Sequence, residues 1–379
     1  MNPVFKGILE DREQGTYIKF TLPATPYEIQ DGMERLGSRE LEALRFELTE
    51  YHDYQYLEQY ISPTAEGEEL QKLNFLAKRL GELDDWQKAS FEGMVRMEMY
   101  QREEISLDRL IDLSYSTGSC HVLPEVKKGM ELGKFCVQGG YKFDLETLPN
   151  EVIKYLDYER IGREHRIEEN GVFTEGGYVE QETGIREVSA EMNFRFYKPE
   201  YVILMEIGDE RYSLPMAEEA LQQAYEEKWD RECQCIDCAV PSLIGVINDS
   251  GVEIEEINQF AGMLEEVEKQ GHLQVYKAVL QATNCHNIEQ AEELGSNLEE
   301  EYVLFHEKGN PIEIAREWLS EQYAEDIDLF SEEDLYHIGQ RYMEKYPTVP
   351  TEYGYLQRYD LEPIQPLDEG PETEIGPQL

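Results

Sequence analysis

Apolar residues alternate with polar ones at several places in the chain, which predicts strands with one buried face. The alternation covers residues 4–10, 16–22, 44–51 and 201–207. Over 69–80 and 256–267, apolar residues instead recur every three or four positions, the spacing of amphipathic helices. Short strands and helices therefore mix along the chain. We expect an α+β fold, an elongated chain of small mixed modules.

The helical pattern at 69–80 is repeated 187 positions later. Leu70, Leu73, Leu76, Ala77 and Leu80 then overlie Ile257, Phe260, Met263, Leu264 and Val267. Further matches follow in the same order: 106–110 with 287–291, 121–123 with 302–304, 132–137 with 314–319, 157–163 with 334–340, and 177–179 with 354–356. Because the matches follow the same order in both halves of the chain, they predict a tandem duplication of a unit of about 180 residues.

The duplication divides the chain into four parts. Residues 1–181 form the first unit, 182–198 a connector, and 199–360 a second, diverged unit. In the remaining tail, 361–379, four prolines interrupt an acidic run. Such a composition buries too little apolar surface to fold, so we expect the tail to be disordered.

The charge of the chain is strongly negative. It has 81 Asp and Glu against 34 Lys and Arg, a formal net charge of -47, yet 40% of its residues are hydrophobic and 25 are Tyr. A core can therefore form, and the acids should cover its surface. Such a field repels nucleic acid and anionic membranes and attracts basic clefts. B-DNA carries one charge per ~1.7 Å, so the excess matches roughly 80 Å of duplex. A salt-adapted soluble protein or an acidic chaperone would have the same composition.

No apolar signal core opens the chain, and no stretch approaches ~18 apolar residues, so we expect a cytoplasmic protein. Six cysteines should then be reduced. Three of them, Cys233, Cys235 and Cys238, have the short spacing of zinc ligands, but no second pair follows. Cys233 and Cys235 also alternate on a predicted strand and would face one side. Buried structural thiols are the favoured interpretation, without metal or cofactor.

An enzyme would need a nucleophile, a base or a phosphate loop. The candidate pairs are His52-Asp53, Cys120-His121, Cys285-His286 and, for a divalent cation, Asp84-Asp85. Adjacent residues on a strand point to opposite faces, so neither Cys-His dipeptide forms a ready catalytic pair. The chain has no Gly-rich phosphate loop, His-Glu-x-x-His motif or serine elbow. We therefore predict that the protein is not an enzyme.

Three segments of the first unit carry a family resemblance. They are Leu-Pro-Asn-Glu-Val at 148–152 with Tyr-Leu-Asp-Tyr-Glu-Arg-Ile-Gly-Arg at 155–163, the closing residues 171–174 and 177–179, and the helix 69–80 with Gly-Glu-Leu at 81–83. This pattern resembles the ArdA family of antirestriction proteins. The resemblance covers nearly all of 1–181. It is weaker over 199–360, where 314–321 keeps an acidic helix but the Asp-Tyr signature is eroded.

The resemblance implies a function and a partner. ArdA proteins are elongated, three-module acidic proteins of plasmids, conjugative transposons and phages. They mimic bent B-form DNA and occupy the DNA-binding groove of type I restriction-modification enzymes, usually as dimers joined through their C-terminal modules. The expected partner is thus the DNA-recognition and methyltransferase part of such a complex, with no nucleic acid or membrane bound. The tandem chain would act as a single-chain pseudo-dimer or as a homodimer.

The residues expected to contact the target are clusters of acids on amphipathic helices. They are Glu66, Glu68, Glu69, Glu82, Asp84, Asp85, Glu253, Glu256, Glu265, Glu266, Glu268, Glu292, Glu293, Glu299, Glu300, Glu301, Glu313 and Glu317. Such runs are also typical of ordinary solvated helix faces. The alternative function is an acidic adaptor or inhibitor of another basic DNA-binding or defence protein.

Overall fold

The computed structural model describes residues 2–100, 104–139, 141, 149–226, 233–249, 251–305, 310–323 and 329–367. The chain divides into two compact units that are not continuous in sequence. Unit 1 comprises Met1–Glu10, Lys19–Ala24 and Glu42–Phe196, and unit 2 comprises Asp11–Ile18, Thr25–Leu41 and Tyr197–Leu379. An early helical segment, Thr25–Leu41, is therefore part of unit 2, although unit 1 surrounds it in sequence.

The first part of the chain forms a sheet followed by three helices. The sheet has the order β2-β1-β3-β4, with β1 at Phe5–Asp11, β2 at Thr16–Leu22, β3 at Leu44–Glu50 and β4 at Thr64–Glu66. Helix α1, Pro26–Leu36, lies between β2 and β3 in sequence. The three helices after the sheet are α2 (Glu68–Gly81), α3 (Asp85–Met99) and α4 (Leu107–Tyr115). Helix α2 buries the apolar stripe predicted for 69–80.

Residues 120–181 complete unit 1 and are called C-module 1. Its strands are β5 (Cys120–Leu123), β6 (Val172–Thr174) and β7 (Gly177–Gln181), in the order β5-β7-β6, and all neighbours are antiparallel. Its helices are α5 (Gly129–Gln138), α6 (Asn150–Ile153) and α7 (Tyr158–Glu168).

The second part of the chain begins with a three-stranded sheet accompanied by helices. A sheet of order β10-β8-β9 is formed by β8 (Ile203–Ile207), β9 (Glu210–Leu214) and β10 (Cys233–Cys238). The helices that accompany it are α8 (Glu218–Glu226), α9 (Ile244–Asp249), α10 (Ile254–Lys269), α11 (Leu273–Thr283), α12 (Ile288–Gly295) and α13 (Leu298–Glu301). Short strands and helices in small sheets confirm the predicted α+β class.

Residues 302–358 close unit 2 and are called C-module 2. They comprise β11 (Tyr302–Phe305), α14 (Pro311–Tyr323), α15 (Glu332–Lys345), β12 (Thr348–Thr351) and β13 (Gly354–Arg358), with strand order β11-β13-β12. Both C-modules bring their two long helices into backbone contact at a glycine. A Cβ atom on Gly162 would lie 1.9 Å from the Gly129 carbonyl oxygen, and one on Gly339 would lie 1.7 Å from that of Pro311.

Two contacts change the register of the sequence matches. The Asn74 side chain bonds both the amide and the carbonyl of Ala24, and Asn258 does the same to Met216. These two asparagine clamps lie 184 positions apart, whereas the sequence match overlays residues 187 positions apart. A shift of three residues is nearly one helical turn, so it preserves the apolar stripe and the sequence alone does not expose it.

The sequence match of 121–123 with 302–304, at an offset of 181, differs by one residue from the pairing of the strands. Leu123 pairs with Tyr178 in C-module 1, and Phe305 pairs with Tyr355 in C-module 2. Tyr178 and Tyr355 each follow the glycine that begins the last strand of their module. Phe305 therefore has the pairing position of Leu123, at an offset of 182. A one-residue slip would turn every side chain to the other face of the sheet.

The segments that leave the two C-modules run back over helices of their own units. After C-module 1, the amides of Val188 and Ser189 donate to Asp112 Oδ1 at 2.8 and 2.9 Å. After C-module 2, the Leu367 amide donates to the Thr283 carbonyl at 2.8 Å, and Ile364 and Leu367 pack against the core of unit 2. The beginning of the tail expected to be disordered is thus packed as far as Leu367. Residues 368–379 lie outside the described part.

Candidate acidic binding surface

The negative charge is unevenly distributed along the chain. Residues 1–196 hold 39 Asp and Glu against 23 Lys and Arg, whereas residues 197–379 hold 42 against 11. The formal charges of the two parts are therefore -16 and -31. Most of the excess belongs to the second part, where cationic partners are scarce.

The acids predicted at the start of α2 share one lysine. Lys72 Nζ lies 3.2 Å from a Glu68 oxygen, 3.8 Å from a Glu69 oxygen and 3.0 Å from Asp108. One cation among three carboxylates still leaves a net charge of -2 there. Glu68 and Glu69 are exposed, and both lie in the first helical turn, where the helix dipole favours anions.

The remaining predicted acids of unit 1 are exposed and mostly have a partner. Glu66 lies 3.8 Å from Arg45, and Glu82 lies 3.6 Å from Arg79. Asp84 is the N-cap of α3, accepting from the Gln87 amide at 2.8 Å, and Asp85 follows it in the first turn. Asp84 therefore has a structural role in starting α3, in addition to any role at the surface.

Helix α10 carries four of the predicted acids, and a fifth, Glu253, is its N-cap. Glu253, Glu256 and Glu266 are exposed, while Glu265 is half-buried and pairs with Lys269 at 2.8 Å. Glu268 differs from these residues because it is held inside unit 2. It lies 3.1 Å from Lys198 and accepts from the Tyr27 hydroxyl at 3.3 Å. Because of these contacts, the main role of Glu268 is to stabilise unit 2, and its contribution to the surface is secondary.

The acids of α12 and α13 are the most densely placed. Glu292, Glu293, Glu299 and Glu300 are exposed, Glu301 is half-buried, and Glu299 lies 3.4 Å from the imidazole of His272. Farther along, Glu313 lies 3.9 Å from Arg316. The Glu317 side chain lies outside the described part of the structure.

Two further acids, Asp249 and Glu289, join this surface. An open groove of about 840 Å³ between α9, α10 and α12 is lined by the carboxylates of Asp249, Glu256, Glu289 and Glu292, and by His286. Glu289 belongs to the dense cluster of acids that the sequence predicts between 289 and 301. Asp249 could not be found from the sequence, because only the packing of α9 beside α10 brings it there.

The cysteines considered as zinc ligands do not converge. Cys233 is exposed, whereas Cys235 and Cys238 are buried in the core of unit 2. Within the described ranges, no group of three His, Cys, Asp or Glu residues is placed to hold a metal ion. Burial raises the pKa of the Cys235 thiol to about 12, so the thiol stays protonated at neutral pH.

The Cys-His dipeptides place their thiols in the core. Burial also raises the pKa of Cys120 to about 12 and raises that of Cys285. His121 points away from Cys120 toward Glu180, at 3.4 Å from its oxygen. His286 is exposed and lines the acidic groove. In the exposed acid pair Asp84-Asp85, Asp84 caps a helix.

C-module 1 contains a buried ion pair that sequence inspection did not find. His165 Nε2 lies 3.1 Å from Glu180 Oε2, and both residues are less than 9% exposed. Hydrogen bonds with Cys136 and Glu180 raise the pKa of His165 to about 10. The corresponding residues of C-module 2 are Tyr342 and Gln357, and the Tyr342 hydroxyl donates to Gln357 Oε1. The same position is thus occupied by a charged pair in C-module 1 and by a neutral pair in C-module 2.

These features define an acidic α+β protein whose surface helices present carboxylates in excess of cations. No helix within the described ranges combines the length and the apolar character that a membrane crossing requires. Residues 12–180 match the family model of the antirestriction protein ArdA. This segment, 169 of the 379 residues, belongs to the ArdA antirestriction family. The match does not extend over residues 181–379, and a search of curated proteins found no match to the chain.

Proposed function

We propose that the protein inhibits a type I restriction-modification enzyme by occupying its DNA-binding groove as a mimic of B-form DNA. The observation that carries this proposal is the ArdA match over residues 12–180. The protein acts by binding, in the cytoplasm, and its partner is the DNA-recognition and methyltransferase part of the complex. No catalytic step and no cofactor enter the mechanism.

The charge of the surface supports this function. A groove that binds DNA is lined with Lys and Arg, and a protein that neutralises them displaces the duplex. Exposed carboxylates on α2, α10, α12 and α13 offer anionic groups on rigid helices, where phosphates would otherwise lie. Because the frame is already folded, binding does not have to order a flexible anionic chain.

The proposed contact is distributed over many acids. The predicted clusters at Glu66–Asp85, Glu253–Glu268 and Glu292–Glu301, extended by Asp249 and Glu289, each contribute a small electrostatic term. Unit 2 has fewer cationic partners for its acids than unit 1, which favours a strong contribution from its surface. No single carboxylate is expected to be indispensable for inhibition.

We also propose that the chain is a tandem duplication and that residues 199–360 form the second, diverged copy. The repeated sheet orders, the two asparagine clamps and the paired glycine contacts support this origin. One chain then carries what two chains supply in a dimer, as a single-chain pseudo-dimer. A homodimer of the tandem chain is the other arrangement.

A cleavage and methylation assay tests the proposed function. Unmodified plasmid is incubated with a type I restriction-modification complex and a rising amount of the purified protein. We expect both activities to stop near one protein per DNA-binding site. Full cleavage and methylation by several type I systems at excess protein would overturn the proposal. Inhibition of another basic DNA-binding protein alone would favour the acidic adaptor.

A further inference from the structure

We propose that unit 2 contains a dedicated receptor groove for helix α1, so that residues 25–41 of the ArdA-matched segment fold as part of the second half of the chain. The groove's polar contacts come from Tyr201, Asp237, Glu268, Lys277, Glu352 and Tyr353. Its occupant is α1 with its N-cap Thr25, and the helix contributes Tyr27, Asp31, Glu34 and Arg35. This interaction surface goes beyond the proposed antirestriction function and does not depend on it.

The N-terminus of α1 is held by a buried carboxylate. Asp237 Oδ1 accepts from the Thr25 hydroxyl at 2.6 Å, and Asp237 is 1% exposed. Burial raises the pKa of Asp237, while hydrogen bonds from the hydroxyls of Thr25 and Tyr201 lower it. The N-terminal end of a helix favours a negative charge, so Asp237 complements both the dipole and the unpaired amides of α1.

The first turn of α1 inserts an aromatic side chain into the core of unit 2. Tyr27 is fully buried and packs edge-to-face against Tyr201, with ring centroids 5.8 Å apart. Its hydroxyl donates to the Tyr201 carbonyl and also lies 3.3 Å from a Glu268 oxygen. An aromatic ring buried with its hydroxyl satisfied is an anchor of the type found at the centre of protein interfaces.

The middle of α1 is joined to unit 2 by a buried charge network. Lys277 Nζ lies 2.9 Å from Asp31 and 2.8 Å from Glu34, and the Tyr353 hydroxyl donates to Asp31 at 2.8 Å. Lys277 is 2% exposed. Burial alone would lower the pKa of Lys277, but the carboxylates of Asp31 and Glu34 raise it above its usual value. Without α1, Lys277 would be a buried charge with no carboxylate beside it, which is costly.

Unit 1 has small residues where unit 2 has this network. Lys277 is the fifth residue of α11 and Ala89 is the fifth residue of α3, while Tyr353 and Gly176 each precede the glycine that begins the last strand. A Cβ atom on Gly176 would lie 2.3 Å from the Cβ of Ala89, so this position is closed in unit 1. In unit 2, Lys277 lies 5.9 Å from the Tyr353 ring, and both side chains reach α1.

Helix α1 lies within the residues that match the family, whereas the receptor groove that holds it lies outside them. Helix α1 lies inside the matched residues 12–180, but the groups that hold it lie between Tyr201 and Tyr353, outside the match. Since Ala24 and Glu42 belong to unit 1, the chain enters and leaves α1 from that unit. The second half is thereby bound to the ArdA segment by an internal helix as well as by the connector, residues 182–198.

Hydrogen exchange of the full chain, followed by mass spectrometry, tests the groove. We expect peptides of α1 to share the protection of α11 and to lose it together with α11 as denaturant is added. Tyr353→Phe removes one hydroxyl contact and should speed exchange in both helices severalfold. Asp31→Ala should speed it at least about tenfold, and neither change should affect α2 and α3. Gln30→Ala, which removes an amide that bonds to Glu34 within α1, is the matched control.

A cut in the connector provides a second, independent test. Tyr197 is 61% exposed and is the residue at which unit 2 resumes after Phe196, so a protease site fits before it and leaves Val188 and Ser189 on the fragment that carries Asp112. After cleavage, the two fragments should co-elute at nanomolar concentration, and the Asp31→Ala chain should separate. Separation of the cut parent chain would overturn the proposal. So would α1 exchange that follows β3 and α3 and does not respond to Asp31→Ala or Tyr353→Phe.

Discussion

His165 and Glu180 form a buried ion pair in C-module 1, with 3.1 Å between Nε2 and Oε2. The Glu180 carboxylate also lies 3.4 Å from His121 Nδ1. Burial alone would raise the pKa of Glu180, but hydrogen bonds from His165 and His121 lower it. Since C-module 2 holds the neutral pair Tyr342 and Gln357 at the corresponding place, the two modules should differ in their response to pH.

The first prediction concerns this pH response. The pKa of His165 is about 10 in the folded chain against an ordinary 6.5, so its stabilisation is complete below pH 6.5 and is lost as pH rises toward 10. Glu180, with a lowered pKa, contributes above its ordinary value and loses its effect in acid. C-module 1 should thus be most stable between about pH 5 and 6.5.

Denaturation across pH measures this effect. His165→Gln should cost about 3 kcal/mol or more near pH 6, because it leaves Glu180 buried without its partner, and much less near pH 10. The matched change, Tyr342→Phe, should cost about 1 kcal/mol with little pH dependence in this range. An unchanged pH slope in His165→Gln would contradict the assignment.

The second prediction concerns the paired glycine contacts. Gly162→Ala and Gly339→Ala each place a methyl group against a backbone carbonyl, so each should destabilise its C-module by roughly 1–3 kcal/mol. Gly262 lies in α10 with open space at its Cβ position. Gly262→Ala should therefore stabilise the chain by up to about 1 kcal/mol, since alanine is the better helix former. Chemical denaturation measures the free energy of unfolding of the three variants. If all three changed it equally little, the close backbone contact between the helices of each C-module would be excluded.

The third prediction concerns salt. Carboxylates in excess of cations repel one another, and ions screen this repulsion within ~10 Å at 0.1 M salt. The melting temperature should therefore rise by a few degrees as NaCl is added, while affinity for a basic target falls. Calorimetry measures the first effect and titration the second. A melting temperature that decreased with salt would mean that ion pairs, such as those of Lys72, dominate the surface.

The fourth prediction is that the binding surface is redundant. Neutralising Glu292, Glu293 and Glu299 to Gln should weaken inhibition only about tenfold, because exposed charges contribute roughly 0.2–1 kcal/mol each. Glu268 is a poor choice for such a test, since its loss would also disturb Tyr27 and Lys198. Complete loss of inhibition from one exposed carboxylate would instead indicate a catalytic or metal-binding residue.

Local patterns predicted much of the fold because they report local structure. The alternation at 16–22 coincides with β2, and the apolar stripe at 69–80 lies within α2. The side chains of Ser106 and Asn287 cap α4 and α12, which is typical of Ser and Asn directly before a helix. The helix match lies at an offset of 187 and the two asparagine clamps at 184, because a pattern with a 3.6-residue period looks nearly unchanged after a shift of three residues.

The placement of α1 could not be read from the sequence. Asp31 meets Lys277 and Tyr353, which are 246 and 322 positions away, and no local pattern records such contacts. Lys277 is the single charged residue of α11, and this is the one local sign of a buried partner. For the surface, exposure of the acids followed from the helical stripes. Which acids have a cation beside them, such as Asp108 with Lys72, depended on tertiary packing.

The central claim is most directly tested by competition with DNA. A labelled duplex that carries the recognition sequence is bound to the methyltransferase part of a type I complex, and the protein is added at equilibrium. We predict that the protein displaces the duplex near one-to-one stoichiometry and that displacement weakens as salt is raised. A ternary complex, in which the protein binds while the duplex remains bound with unchanged affinity, would contradict DNA mimicry.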